Sequence, residues 1–128
     1  MKVLLDTHAF LWLVTDHPKL SDRAKATFLD GRNDLFCSAV TGFEICVKFS
    51  LGKLQLAEPP REFIENRMRN NAFSPLPIKL SHTFRLAHLP YHHRDPFDRL
   101  LVAQALEEDL PLLSVDEVLS DYGVERIW

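Results

Sequence analysis

The apolar positions of this chain fall into two rhythms. "KVLL" at the amino terminus is continuously apolar and stops at Asp6, which predicts a short strand buried on both faces, and "AFLWLV" after it has the length and character of a helix start. Ser21 precedes "DRAKATFLDG", whose early acid and late glycine mark a helix over about residues 22–30, and "DLFCSA" reads as a second strand. "VTGFEICVKFSLGKL" predicts a helix ending near Gly52, and "PREFIENRMRNN" predicts another, opened by proline and closed by asparagines. "FSPLPI" reads as a short extended link. "SHTFRLAHLP" reads as a helix capped by Ser81 and stopped before Pro90. "DPFDRLLVAQALEED" begins the last long helix, followed by strands at "PLLSVD" and "VERIW".

Strands separated by helical stretches need crossover connections, and crossovers produce a parallel sheet covered by helices on both faces. The expected class is therefore α/β, a single domain over residues 1–128 with four or five short parallel strands. In such sheets ligands bind beyond the carboxyl ends of the strands, near a switch in strand order.

The apolar runs fall short of the roughly 20 residues that span a membrane, and the acid at position 6 comes too early for a signal peptide's apolar core. The expectation is a soluble cytoplasmic protein with no membrane contact. Cys37 and Cys46, placed in a strand and a helix, read as two buried free thiols. The net charge of −3 hides an uneven distribution: residues 1–47 hold 5 bases and 6 acids, residues 48–99 hold 9 and 5, and residues 100–128 hold 1 and 7. Such a basic middle suits a surface that meets phosphates, and equally suits ordinary solvated helix faces.

Four carboxylates change the picture. Asp6 and Asp116 each follow a strand, which puts both at the carboxyl edge of the sheet, although an acid there is also a common turn or cap residue. Glu44 lies at helical spacing within the arc of Val40, Phe43, Val47 and Leu51; Ile45 and Phe49 on the other side leave a solvated rim as the alternative placement. Asp98 shares a helix face with Leu101, Val102 and Ala105, or simply complements the helix dipole. Asp95, just before Pro96, is the expected N-cap and a possible secondary acid.

Carboxylates so close cannot all ionise without a counter-charge, and no lysine or arginine adjoins Asp6, Glu44 or Asp116 in the sequence. A hard divalent ion, magnesium or manganese, is the natural neutraliser. It would activate water against a phosphodiester.

"LLDTH", "SAVTGFEICVK", "HHRDPFDRLLVAQA" and "LLSVDEVLSDYGV" together resemble the PIN-domain ribonucleases, specifically the VapC-type toxins of toxin–antitoxin pairs, in the family's order along nearly the whole chain. The resemblance implies a PIN-like fold and a magnesium- or manganese-dependent endoribonuclease. It also implies a homodimer, silenced by an antitoxin that covers the active site. It carries the family's acids onto Asp6, Glu44, Asp98 and Asp116, and places the small hydroxyls of Thr7 and Ser38 near the metal. Asp116 departs from the pattern, because Glu117 crowds it, and is the least secure of the four. Lys48, Arg94 and Arg99, with His92 and His93 on an exposed basic rim, are the expected contacts to RNA phosphates.

Competing chemistries lack their residues. A phosphoacceptor receiver domain wants a second acid beside the first and a late lysine, and finds Thr7 and Glu117 at the nearest places. A dehalogenase-like phosphatase wants two aspartates around one residue, where "DTH" ends in histidine. His8, His92 and His93 have no third partner at zinc-binding spacing. A noncatalytic RNA-binding or scaffold protein of the same fold would keep the basic middle without a reason for acids on buried faces.

Overall fold

Val3, Leu4 and Leu5 of the first strand are entirely buried, and the rest of the molecule is laid down around them. The computed structural model describes residues 1–128. Its strands are β1 (Lys2–Leu5), β2 (Asp34–Ser38), β3 (Ser74–Leu76), β4 (Leu112–Leu113) and β5 (Arg126–Ile127). They form one wholly parallel sheet in the order β3-β2-β1-β4-β5. The chain builds outward from β1 through β2 to β3, then returns to the other side of β1 for β4. The strand order therefore reverses at β1, the place where an open α/β sheet leaves a crevice.

Alternation along β1 divides two cores. Val3 and Leu5 pack with Phe10 and Leu13 of α1 (Thr7–Thr15), Ala24 of α2 (Asp22–Leu29) and Phe63 of α4 (Pro60–Asn70). Leu4 faces the other way, into Leu101, Val102 and Ala105 of α6 (Pro96–Glu107), with Leu112 and Leu119. The helix α3 (Ala39–Ser50) supplies Ile45 to the first core and Val40 to the second, so it lies across the end of the sheet. Burial on both sides explains why the strand sequence shows no polar alternation. No helix is long and apolar enough to cross a membrane.

The expected α/β class with five parallel strands is what forms, but several local expectations are corrected. The link "FSPLPI" contains a true edge strand, β3, in register with β2 through Phe36 and Ser74, Cys37 and Pro75, Ser38 and Leu76. Pro75 is tolerated there because an edge position has an unpaired side. Ser81 does not cap α5 (Leu80–Ala87); the N-cap is Lys79, two residues earlier, and its own amide donates to the ring of His82 at 3.0 Å. Between β4 and β5 the chain makes a 3-10 helix (Glu117–Tyr122) that no periodicity announced, ended by Gly123 at φ +83°. Cys46 is exposed, because it faces away from both cores, whereas burial pushes the Cys37 thiol up to about 12.

A buried polar staple joins β2, α5 and α6. Ser38 Oγ donates to Gln104 Oε1, while Gln104 Nε2 donates to the Pro77 carbonyl at 3.2 Å and approaches His82 Nδ1 at 3.3 Å. His82 Nε2 in turn meets Glu108 Oε1 at 2.8 Å. Ser38, Gln104 and His82 are all essentially inaccessible, so each polar group depends on the others for its partners. Replacing Gln104 by Leu, which preserves volume, should therefore destabilise the fold by about 2 kcal/mol or more, because the Pro77 carbonyl and the Ser38 hydroxyl lose their partner. Urea unfolding measures this; an unchanged midpoint would show that the staple carries no net stability.

Candidate metal centre

β1 ends at Leu5, and its next residue is held from three directions. The Asp6 amide donates to the Leu113 carbonyl of β4 at 3.1 Å, and Asp6 Oδ1 accepts the Ala9 amide at 2.8 Å as the N-cap of α1. The carboxyl group is 3% exposed. Burial raises its pKa, hydrogen bonds from Ser114 and the Ala9 amide pull it back, and the charge of Glu44 pushes it up again. Asp6 is thus both a structural cap and one half of a repelling pair.

Glu44 reaches the same place from α3 and is equally buried, at 3%. Its Oε2 pairs with Lys48 Nζ at 2.5 Å, one turn further along the helix. Its Oε1 is buried with no hydrogen-bond partner. Desolvating a carboxylate oxygen without a partner costs free energy, which makes this atom a fit donor to a cation.

Asp98 arrives on the first turn of α6, with Asp95 as its N-cap: Asp95 Oδ1 accepts the amides of Phe97 at 2.8 Å and Asp98 at 3.1 Å. Burial first, then the charges of Asp95, Asp6 and Glu44, push the Asp98 carboxyl up to about 7, with His93 opposing them. From β4's side, Asp116 caps the 3-10 helix through Val118, while its Oδ2 meets His93 Nε2 at 3.0 Å. His93 Nε2 also lies 3.5 Å from Asp98 Oδ2, and one ligand-type atom from each of these three residues falls within 4.8 Å of the others.

The donor set is carboxylate oxygen, crowded, mutually repelling and supplied with one partnerless buried oxygen. It suits a hard divalent cation. Asp6, Glu44 and Asp98 could hold such an ion, with Asp116 beside them.

The remaining expected residues divide. Thr7 is buried next to Asp6, and its hydroxyl is tied to Thr41 of α3 at 3.2 Å. The Ser38 hydroxyl is committed to the Val40 amide and Gln104, and the hydroxyl that reaches Asp6 is that of Ser114 instead. Lys48 does not stand free for phosphate; it supplies Glu44 with the counter-charge thought to be missing, four residues away along the helix rather than adjacent. Arg99 is 5% exposed and holds the carbonyls of Pro90 and Leu89 and the Tyr122 hydroxyl, so it is part of the scaffold rather than a phosphate contact. His93 turns inward to the carboxylates; His92 and Arg94 are exposed at the rim, as expected. Ser114, Thr41 and Tyr122 escaped the sequence reading. Ser114 alone carried a signal, as the hydroxyl two residues before the strand-end acid.

Comparison with known proteins identifies the fold family. The profile described as the PIN domain matches residues 3–125. Ribonuclease VapC16 of Mycobacterium tuberculosis is 35% identical over 71 residues, covering 52% of this chain and 50% of that protein. The match thus spans about half the length of that relative. Among solved structures, VapBC2 from Rickettsia felis, bound to a promoter DNA fragment, superposes with a TM-score of 0.73 at 15% identity over 100% of both chains. FitAcB from Neisseria gonorrhoeae does so with a TM-score of 0.65 at 19% identity, over 98% of this chain and 96% of that one. At such identities the likeness is one of fold.

The raised Asp98 carboxyl carries a pH signature. Its folded pKa exceeds the unfolded value, so between about 4 and about 7 the folded state holds a proton that the unfolded state has lost. Stability of the metal-free protein should be greatest at the acid end of this window and fall as pH rises to about 7, by a few kcal/mol at most. Asp98→Asn should flatten that slope. Thermal unfolding across the window decides it, and a metal-free protein whose stability rises with pH to the same extent in both forms would contradict the account.

Proposed function

The chain belongs to the PIN-domain family, and from that premise we propose that it is a magnesium- or manganese-dependent endoribonuclease acting as the toxin of a toxin–antitoxin pair. The observation that carries the reading is the partnerless Glu44 oxygen, buried beside two further carboxylates that repel it. A scaffold protein gains nothing from such a group. The Mycobacterium tuberculosis relative is a ribonuclease, which supports RNA as the substrate.

A bound divalent ion would supply an activated water and charge neutralisation at the scissile phosphate. The chain's own residues make that possible. Asp6, Glu44 and Asp98 offer oxygens from three different elements, and Asp116 closes the cluster from β4. Lys48 steadies one Glu44 oxygen and leaves the other free. Ser114 and the Ala9 amide orient Asp6. Arg94 and His92, both exposed and next in sequence to His93, would meet phosphates of the substrate.

The proposed partners are an antitoxin covering the acidic cleft and a second copy of this chain, met in the cytoplasm where RNA is available. A toxin–antitoxin complex from Klebsiella pneumoniae and VapBC-5 from Mycobacterium tuberculosis, a member of the VapBC family of toxin–antitoxin systems, share this fold, which supports a protein partner. Phe43 and Phe49 on α3, Leu51 at its C-cap, and Leu80 and Phe84 on α5 are exposed apolar side chains of the kind such contacts cover.

RNA cleavage should stop in chelator and return with magnesium or manganese. Glu44→Gln should abolish it with little change in melting temperature, since the half-exposed Lys48 amine is readily resolvated. Expression of the chain should arrest growth, and the Glu44→Gln form should not. Full activity in chelator would sink the reading.

The two aspartates of the α6 start should separate cleanly. Asp95→Asn retains a capping acceptor and should keep both stability and cleavage, whereas Asp95→Ala should cost about 0.5–2 kcal/mol. Asp98→Asn should lose cation affinity and cleavage without unfolding. Loss of cation by Asp95→Asn and its retention by Asp98→Asn would exchange the two roles.

A further inference from the structure

His93 stands in an arrangement that its neighbours have largely decided. The Asp95 backbone N–H donates to His93 Nδ1 at 3.0 Å. An amide nitrogen can only donate, so Nδ1 presents a lone pair and the ring proton resides on Nε2. That Nε2–H lies 3.0 Å from Asp116 Oδ2 and 3.5 Å from Asp98 Oδ2, bridging the carboxylates that come from β4's end and from α6.

We propose that His93 is a positioning residue of the acidic cluster: its Nε2–H clamps the Asp116 carboxylate beside Asp98, and the ring is neither a metal ligand nor a contact to RNA. Ligation through Nε2 would move the ring proton to Nδ1, where it would point at the Asp95 N–H. The proximity of Nε2 to two carboxylate oxygens looks like part of a three-residue metal site, but the atom facing the carboxylates carries hydrogen, not a lone pair.

The backbone is held as firmly as the ring. The Tyr122 hydroxyl accepts the amides of His92 at 3.1 Å and His93 at 2.8 Å. Buried Arg99 ties that hydroxyl, at 3.2 Å, to the Pro90 carbonyl, at 2.7 Å, and its guanidinium stacks 4.0 Å from the Tyr91 ring centre. Residues 90–95 are therefore a latched turn whose product is one oriented imidazole. Asp95 serves twice, capping α6 with its carboxylate and setting the His93 tautomer with its amide. The Val118 amide holds Asp116 Oδ1 at 3.1 Å and the His93 donor holds Oδ2, so the carboxylate is fixed at both oxygens, which is how groups outside a metal's own ligands tune its affinity.

This role rests on reading the cluster as a cation site, and the experiment separates the two. In nitrogen-15 NMR of the wild-type protein, the His93 ring should be protonated at Nε2 and bare at Nδ1, both before and after saturation with magnesium. Manganese binding, followed by electron paramagnetic resonance, should weaken roughly ten-fold or more in His93→Leu, and should stay within a few-fold of wild type in His93→Gln, whose amide also offers an N–H. Loss of the Nε2 proton on magnesium binding would make His93 a ligand and overturn the proposal, even if the leucine variant fails to fold. Undiminished manganese affinity in a folded His93→Leu protein would overturn it too. Either result leaves the cation site standing, whereas a wild-type protein that binds neither ion would bring down the site and the clamp together.

Discussion

Mutual repulsion among Asp6, Glu44 and Asp98 is the constraint around which this end of the molecule is organised. Burial first, with the neighbouring charges adding to it, pushes the Asp6 and Asp98 carboxyl groups toward their protonated forms. A fold can keep such a cluster only if the rest of the structure holds the acids in place. Here the acids are fixed by what they do locally: Asp6 caps α1, Asp98 is placed by the cap of α6, and Glu44 projects from a helix anchored in both cores. The backbone has little freedom to relieve the repulsion by moving apart.

The sheet supplies the framework for that rigidity. Because the strand order reverses at β1, the ends of β1 and β4 face a crevice that no crossover helix fills, and the starts of α3 and α6 converge on it from the two sides. Two polar attachments then fix the helices relative to the sheet: the Thr7–Thr41 contact between α1 and α3, and the Ser38–Gln104–His82 staple between β2, α6 and α5. Both are buried, and both use uncharged groups that can be satisfied completely. Buried side-chain oxygens without a partner remain at two places, Glu44 Oε1 in the acidic cluster and Glu58 Oε2 beside Arg67.

What could be read from the sequence follows from periodicity. Strand β1, the helices α1 to α4 and α6, the N-cap at Asp95 and the inward face of Glu44 all leave a local imprint, because each depends on residues within one or two turns. Strand β3 left none: three residues including a proline become a strand only through pairing with β2. The start of α5 leaves no signal because its N-cap is Lys79, a residue with no hydroxyl or carboxylate to announce a cap. Lys48 and Arg99 were misjudged for one reason: a basic side chain looks like a surface residue until its partner is known, and their partners are a buried carboxylate in one case and backbone carbonyls with a tyrosine hydroxyl in the other. His93 was invisible as a clamp because its meaning depends on Asp116, 23 residues away.

These reassignments change how a polyanion would be met. Of the nine basic side chains in residues 48–99 that suggested a phosphate-binding surface, Lys48, Arg61, Arg67, Lys79 and Arg85 are paired with carboxylates, and Arg99 is interior. The other three, Lys53, Arg69 and Arg94, form no ion pair, and of these Arg94 adjoins the cluster in sequence, between His93 and Asp95. A net charge of −3 and an acidic cleft give little long-range attraction for RNA. On the proposed reading, the phosphate backbone is drawn to the cleft chiefly by the cation that the carboxylates hold, with the few free bases at the rim setting its direction. Charge neutralisation at the cluster is then a condition of substrate binding as well as of the chemical step, so removing the cation would abolish both together.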